Sequence, residues 1–86
     1  MPHVIVKLWP DKAEAQKCRL AERITKDVMD VFGYGADSVS VAMEEIAAED
    51  WADEVYRPDI LGHLNRLYKK PGYMLEHLPQ RWKQRS

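Results

Sequence analysis

The residue with the most distinctive chemistry stands at the second position. Pro2 follows Met1 and opens a run of strand-forming residues from His3 to Trp9. An initiator methionine before a small residue such as proline is normally removed, which leaves Pro2 with a secondary amine in place of an amide. An ordinary α-amino group titrates at about 7.7–8.0. Desolvation or a neighbouring cation lowers that value and leaves a neutral, basic nitrogen at pH 7. Such a nitrogen can accept a proton from a weakly acidic position without a metal or a cofactor. Taken alone, the Met-Pro start is a weak signal and reads more simply as a chain that tolerates proline there. The remaining candidates are less suggestive. His3, His63 and His77 lie far apart without ligand spacing, as surface or packing histidines do, and no metal is implied. Cys18 falls inside a helical stretch with no identifiable basic partner to make it a nucleophile. Phosphate-binding glycine loops and the G-x-S-x-G elbow do not occur.

The elements that must position Pro2 follow from periodicity. Residues 3–9, HVIVKLW, alternate as a strand, with Val4, Val6 and Leu8 on one face and His3, Ile5, Lys7 and Trp9 on the other. Pro10 and Asp11 stop it, and Asp11 with Glu14 reads as a capping box that opens a helix. Leu20, Ala21, Ile24, Val28, Val31 and Phe32 recur at helical spacing until Gly33 and Gly35 close the helix. A second strand is expected over 38–45, SVSVAMEE, with Val39, Val41 and Met43 on one face. Strand, long helix, strand is a βαβ unit, so the two strands should be parallel. That unit leaves sheet edges and one sheet face open. Short helical stretches over 52–56 and 59–69, broken by Pro58, Pro71–Gly72 and Pro79, could cover part of that face.

Composition bounds the partners. Eighty-six residues make one small domain, 45% hydrophobic and 31% charged. Thirteen basic against fourteen acidic side chains give a formal net charge of −1, which argues against a dedicated nucleic-acid binder. Charge is unevenly spread: residues 36–54 hold seven acids and no base, and residues 55–86 hold seven bases and two acids. The basic end, with Arg81, Trp82, Lys83 and Arg85, reads as a solvated terminus or an intersubunit contact. No run is long enough to span a membrane, and the start has neither the uninterrupted apolar stretch nor the cleavage site of a signal peptide. A single cysteine suits a reducing compartment, so a cytoplasmic protein is expected. A core this small, without disulfide or metal, leaves self-association as the means of stabilisation.

PHVIVKLWP, then KAEAQKCRLAERITKDV, then SVSVAMEEI with a tryptophan at 51, resembles the 4-oxalocrotonate tautomerase family. The continuation EVYRPDILGHLNRLYKKPGYM resembles a short bacterial branch of it, the dimeric tautomerases active on phenylenolpyruvate-type compounds. The likeness covers residues 2–74 of a single domain, 1–86, with 75–86 as a C-terminal extension. The resemblance implies an α+β fold: a β-α-β protomer with a parallel two-stranded sheet, joined across a homodimer into a four-stranded sheet, with short C-terminal helices. It implies that Pro2 is the general base. The family's first arginine falls on Lys12 and its second on Ser40, and the aromatic wall of its pocket falls on Trp51. Lys12 keeps a positive charge and Ser40 loses one, which weakens the case for a dicarboxylate substrate.

Strand geometry then divides the site between subunits. From Pro2 to Trp9 a strand spans roughly 23 Å at about 3.3 Å per residue, so Lys12 does not reach the Pro2 of its own chain. An antiparallel pairing of two protomers about a twofold axis brings Lys12 of one towards Pro2 of the other. The expected activity is a cofactor-independent keto–enol tautomerase acting on an aromatic enolpyruvate-type 2-hydroxyalkenoate. Pro2 moves the proton, Lys12 holds the carboxylate or the 2-oxygen, and Trp51 forms an apolar wall. Two alternatives stand beside it: a tautomerase-fold binding or assembly protein without useful catalysis, and hydration or dehalogenation of a haloacrylate. The missing second arginine speaks against the last.

Overall fold

A computed structural model describes residues 1–79, in two compact units, Met1–Glu45 and Ile46 onward. The basic residues Arg81, Trp82, Lys83 and Arg85 and the last part of the 75–86 extension lie outside the described residues.

The first unit is the expected β-α-β arrangement. Strand β1 (His3–Leu8) pairs in parallel with β2 (Ser40–Glu45), in a register running from His3 opposite Ser40 to Leu8 opposite Glu45. Side chains alternate between sheet faces. Val4, Val6 and Leu8 therefore share a face with Val41, Met43 and Glu45, while His3, Ile5 and Lys7 share the other with Ser40, Ala42 and Glu44. Both strands are shorter than their residue types suggest. Trp9 leaves the ladder because the Asp11 N–H returns to the Trp9 carbonyl at 3.0 Å, closing a tight turn at Pro10. Residues Ala36–Ser38 form a single 3₁₀ turn, with the Ser38 N–H on the Gly35 carbonyl at 3.1 Å, so β2 starts two residues late.

Helix α1 (Glu14–Phe32) connects the strands. Its start differs from the expected Asp11–Glu14 capping box. Asp11 is already used in the turn, Ala13 is the cap residue, and the Gln16 side chain accepts the Ala13 N–H at 2.9 Å. Glu14 instead pairs with Lys17 at 3.2 Å. At the other end Gly33 adopts φ 78°, a left-handed conformation that costs glycine little, and its N–H reaches the Met29 carbonyl at 2.9 Å. Ala21, Ile24 and Val28 are half-buried, but Val31 and Phe32 are 76% and 66% exposed. No residue between Met1 and Glu45 is fully buried. The unit thus displays apolar surface that its own packing does not remove from water.

The second unit is a run of short helical turns around a small core. A 3₁₀ turn (Ala48–Asp50) leads through Trp51 into a π-type helix (Ala52–Ile60), followed by a 3₁₀ segment (Leu61–Arg66) and a 3₁₀ turn (Leu75–His77). The helix passes through Pro58 where a break was expected. Proline lacks an N–H and crowds the carbonyl four residues back, and the wider π turn accommodates both defects. The break falls instead at His63, with φ −139° and ψ 41°, and Leu67 is extended, so no helix reaches residue 69. Ala52, Tyr56 and Leu78 form the buried cluster, packed by Trp51, Ile60, Tyr73 and Leu75. Leu75 and Leu78, the first apolar residues of the extension, therefore belong to this core.

Candidate active site

Pro2 stands immediately before β1, half-buried, with its carbonyl accepting the Ser40 N–H at 3.2 Å. A strand start is where proline's missing N–H costs no ladder hydrogen bond. In the described chain Met1, 88% exposed, acylates the Pro2 nitrogen. That nitrogen is an amide here and stands in the place of the secondary amine that removal of Met1 would create. Beside it, the Ser40 hydroxyl lies 2.6 Å from Nδ1 of His3. The parallel register thus brings Pro2, His3 and Ser40 to the same end of the sheet.

Lys12 lies beyond the opposite end, in the exposed segment between β1 and α1. With Gln16, Lys17, Val6, Leu8 and Leu20 it lines a pocket of about 250 Å³. The two lysines there are in different electrostatic states. Lys17 is held by Glu14 at 3.2 Å and by Glu45, at the end of β2, at 3.1 Å. The hydrogen bond to Glu45, followed by that to Glu14, raises its pKa above the ordinary lysine value. Its charge is already neutralised. Lys12 makes no ion pair among the described residues, so its ammonium is the one available to a ligand. Apolar walls with a single uncommitted cation suit a carboxylate attached to an apolar body.

The six residues of β1 span roughly 20 Å, so one protomer does not bring its own Lys12 to its own Pro2. Trp51 belongs to the second unit, half-buried, where its indole N–H donates to the Tyr73 hydroxyl at 3.0 Å. Tyr73 in turn packs against Tyr56 with ring centroids 5.5 Å apart. Reading the sequence alone missed the partnership of His3 with Ser40 and that of Lys17 with Glu45. Both are recoverable from the strand register, because pairing His3 opposite Ser40 puts the first pair on one face and carries Glu45 to the helix side. His77 is occupied locally: its Nδ1 accepts the Met74 N–H at 2.9 Å. No helix among the described residues is long and apolar enough to cross a membrane.

Comparison with known proteins adds an independent line. A family model described as "Tautomerase enzyme" matches residues 2–57. A probable tautomerase of Xylella fastidiosa is 44% identical over 73 residues, 85% of this chain and 89% of the relative. Tautomerase PptA of Pectobacterium atrosepticum is 47% identical over 74 residues, 85% of this chain and 97% of its own length. Among solved structures, YwhB, a homologue of 4-oxalocrotonate tautomerase, superposes with a TM-score of 0.58 at 28% identity, covering 63% of this chain and 88% of YwhB.

Proposed function

This chain belongs to the tautomerase family and is an isomerase, and on that premise we propose that it interconverts the enol and keto forms of an aromatic enolpyruvate-type 2-hydroxyalkenoate with Pro2 as general base. The observation that carries the reading is the position of Pro2. It joins the sheet through its carbonyl alone, so its nitrogen takes no part in the ladder and is available once Met1 is removed.

In the proposed reaction the neutral Pro2 nitrogen takes the proton of the substrate's 2-hydroxyl. The electrons of that O–H bond become the carbonyl π bond, and the former C=C pair collects a proton at the neighbouring carbon. Pro2 ends the cycle neutral, and no redox partner or cofactor enters the balance. The intermediate carries enolate charge next to a carboxylate. A lysine ammonium directed at these oxygens stabilises it more than the ground state, whose 2-oxygen is still uncharged, which is what raises the rate. Lys12 is the residue assigned to that task, Ser40 lies beside the base, and Trp51 is assigned the apolar wall.

Because Pro2 and Lys12 of one chain are a strand's length apart, the site is assigned to two protomers of a homodimer. The absence of any fully buried residue in Met1–Glu45 supports the same conclusion. Joining the two-stranded sheets of two protomers into four strands would cover open sheet edge. We place the whole chain, 1–86, in one functional domain, and the protein in the cytoplasm, where its exposed Cys18 thiol stays reduced. The test is turnover of phenylenolpyruvate by the chain with Met1 removed. Rates no higher than the buffer reaction would favour a binding or assembly protein on the same fold.

A further inference from the structure

Resting on the assignment of Lys12 to the substrate's oxygens, we propose that Gln16 is the second anchor of the carboxylate. Its side-chain N–H binds the outer carboxylate oxygen and leaves the Lys12 ammonium to the inner one and to the 2-oxygen. Both residues line one pocket of about 250 Å³, with Val6, Leu8 and Leu20 as its apolar walls. The orientation of the Gln16 amide is set by the backbone beside it. Gln16 lies in the first turn of α1, and its side-chain oxygen accepts the Ala13 N–H at 2.9 Å. A backbone N–H only donates, so the oxygen faces Ala13 and the NH2 group is the end left over. Neither of its hydrogens is used among the described residues. Gln16 is exposed, so a ligand reaches it without rearrangement.

The charges of the pocket decide what those hydrogens would meet. Lys17, the other basic residue there, is already paired with Glu14 and Glu45. The pocket is left with one uncommitted cation, Lys12, and one neutral donor, Gln16. A 2-hydroxy or 2-oxo acid presents three oxygens at one end, two on the carboxylate and one on the adjacent carbon. One ammonium can bridge the 2-oxygen and the carboxylate oxygen on the same side. The outer carboxylate oxygen then lacks a donor, and an amide N–H supplies it through a charge-assisted hydrogen bond. The two anchors differ in their kinetic consequence. The carboxylate carries the same charge in the ground state and in the transition state, so a donor to its outer oxygen binds both equally. The 2-oxygen gains charge during the reaction, so Lys12 favours the transition state. Gln16 therefore holds and orients the substrate, and its contribution falls on KM.

The experiment titrates phenylpyruvate by calorimetry into the chain without Met1, as wild type, Gln16→Glu, Gln16→Met and Lys12→Ala. Gln16→Glu keeps an oxygen for the Ala13 N–H, and with it the helix start, but replaces the donor by a negative charge. At pH 7 it should bind at least about 10-fold more weakly than wild type, the lower end of the range for a hydrogen bond to a charged group. Below the ordinary glutamate value of about 4.3 the introduced carboxyl is protonated and donates again, so the deficit should close. Lys12, Lys17, Glu14 and Glu45, the charged groups around it, are common to both proteins, and comparison at each pH cancels their titration. Circular dichroism at each pH verifies the fold. Gln16→Met should lose roughly 10-fold at every pH, since nothing restores its donor. In turnover of phenylenolpyruvate both variants should raise KM and leave kcat nearly unchanged. Wild-type affinity in both Gln16 variants at pH 7, a deficit in folded Gln16→Glu that acid does not close, or a loss confined to kcat overturns the proposal. Lys12→Ala separates it from the reading on which it rests. Weakened binding there alone defeats the role of Gln16, and weakened binding in no variant defeats the assignment of Lys12 as well. Binding needs no turnover, so absence of catalysis in every form would defeat the Pro2 mechanism while the titration still decides the role of Gln16.

Discussion

The backbone N–H of Ser40 donates to the carbonyl of Pro2 at 3.2 Å, tying the head of β2 to the residue that precedes β1. The bond uses the only backbone hydrogen-bonding group that proline possesses. The Pro2 nitrogen therefore contributes nothing to the sheet, whether it is acylated by Met1 or free. On the proposed mechanism structure and reactivity are separated within one residue: its carbonyl side holds the strand, and its nitrogen side is left for chemistry.

Lys12→Ala should reduce kcat/KM roughly 10- to 150-fold, since a hydrogen bond to a charged group is worth about 1.5–3 kcal/mol. Lys12→Arg should retain most of the activity. Steady-state kinetics on phenylenolpyruvate checks both, and an undiminished Lys12→Ala enzyme would move the carboxylate site elsewhere.

A site shared between protomers has a signature in mixtures. Lys12→Ala chains and chains blocked at Pro2 by a retained Met1 should each be nearly inactive alone. After co-refolding, random pairing in a twofold dimer makes half the dimers mixed, each with one intact site, and restores about a quarter of the wild-type rate. Sedimentation of the same samples should show dimers. A folded monomer at micromolar concentration, or no recovery on mixing, contradicts the shared site.

Lys17 links α1 to the end of β2, and its pKa is raised by Glu45 and then by Glu14. A group whose folded pKa exceeds its unfolded value stabilises fully below the unfolded value and loses that contribution as pH rises through the folded one. The thermal midpoint of the wild type should therefore exceed that of Lys17→Met at neutral pH. The advantage should vanish as the pH climbs above the ordinary lysine value of about 10.5. Melting curves across that range provide the check.

Leu78 is 9% exposed and packs with Ala52 and Tyr56. Leu78→Ala should cost about 2–5 kcal/mol, the range for truncating a core leucine. Denaturant titration followed by tryptophan fluorescence measures the loss. An effect within experimental error would remove the start of the C-terminal extension from the core.

Much of the first unit is legible in the residues themselves. Alternating β-branched positions mark β1 and β2, the 3.6-residue stripe marks α1, and Gly33 marks its end. Exact boundaries escaped because backbone turns compete for the same groups: Asp11 closes a turn before it can cap a helix. Pro58 reads as a breaker only if helical winding is assumed to be uniform, and a π turn removes the conflict. Among the residues of the proposed site, Pro2 and Lys12 stand out by type and place. The contact between His3 and Ser40 does not, because it joins residues 37 apart through a register that one sequence leaves open. Trp51 is likewise visible as an aromatic, but its bond to Tyr73 is not, since no periodic pattern connects the two.

The central claim is that the nitrogen of Pro2 is the base, and the most direct measurement compares kcat/KM across pH for two forms of known mass, with and without Met1. An acylated nitrogen has no available lone pair and no titrating proton. The form that retains Met1 should therefore fold, as circular dichroism would show, yet fall to the small rate left by binding and electrostatics. The trimmed form should show a rate that rises as the Pro2 ammonium loses its proton. Its midpoint should lie below the value of about 7.7–8.0 for a free α-amino group if the bound site is apolar. Equal activity and equal pH dependence in the two forms would contradict the account, because no chemistry at Pro2 could then be responsible.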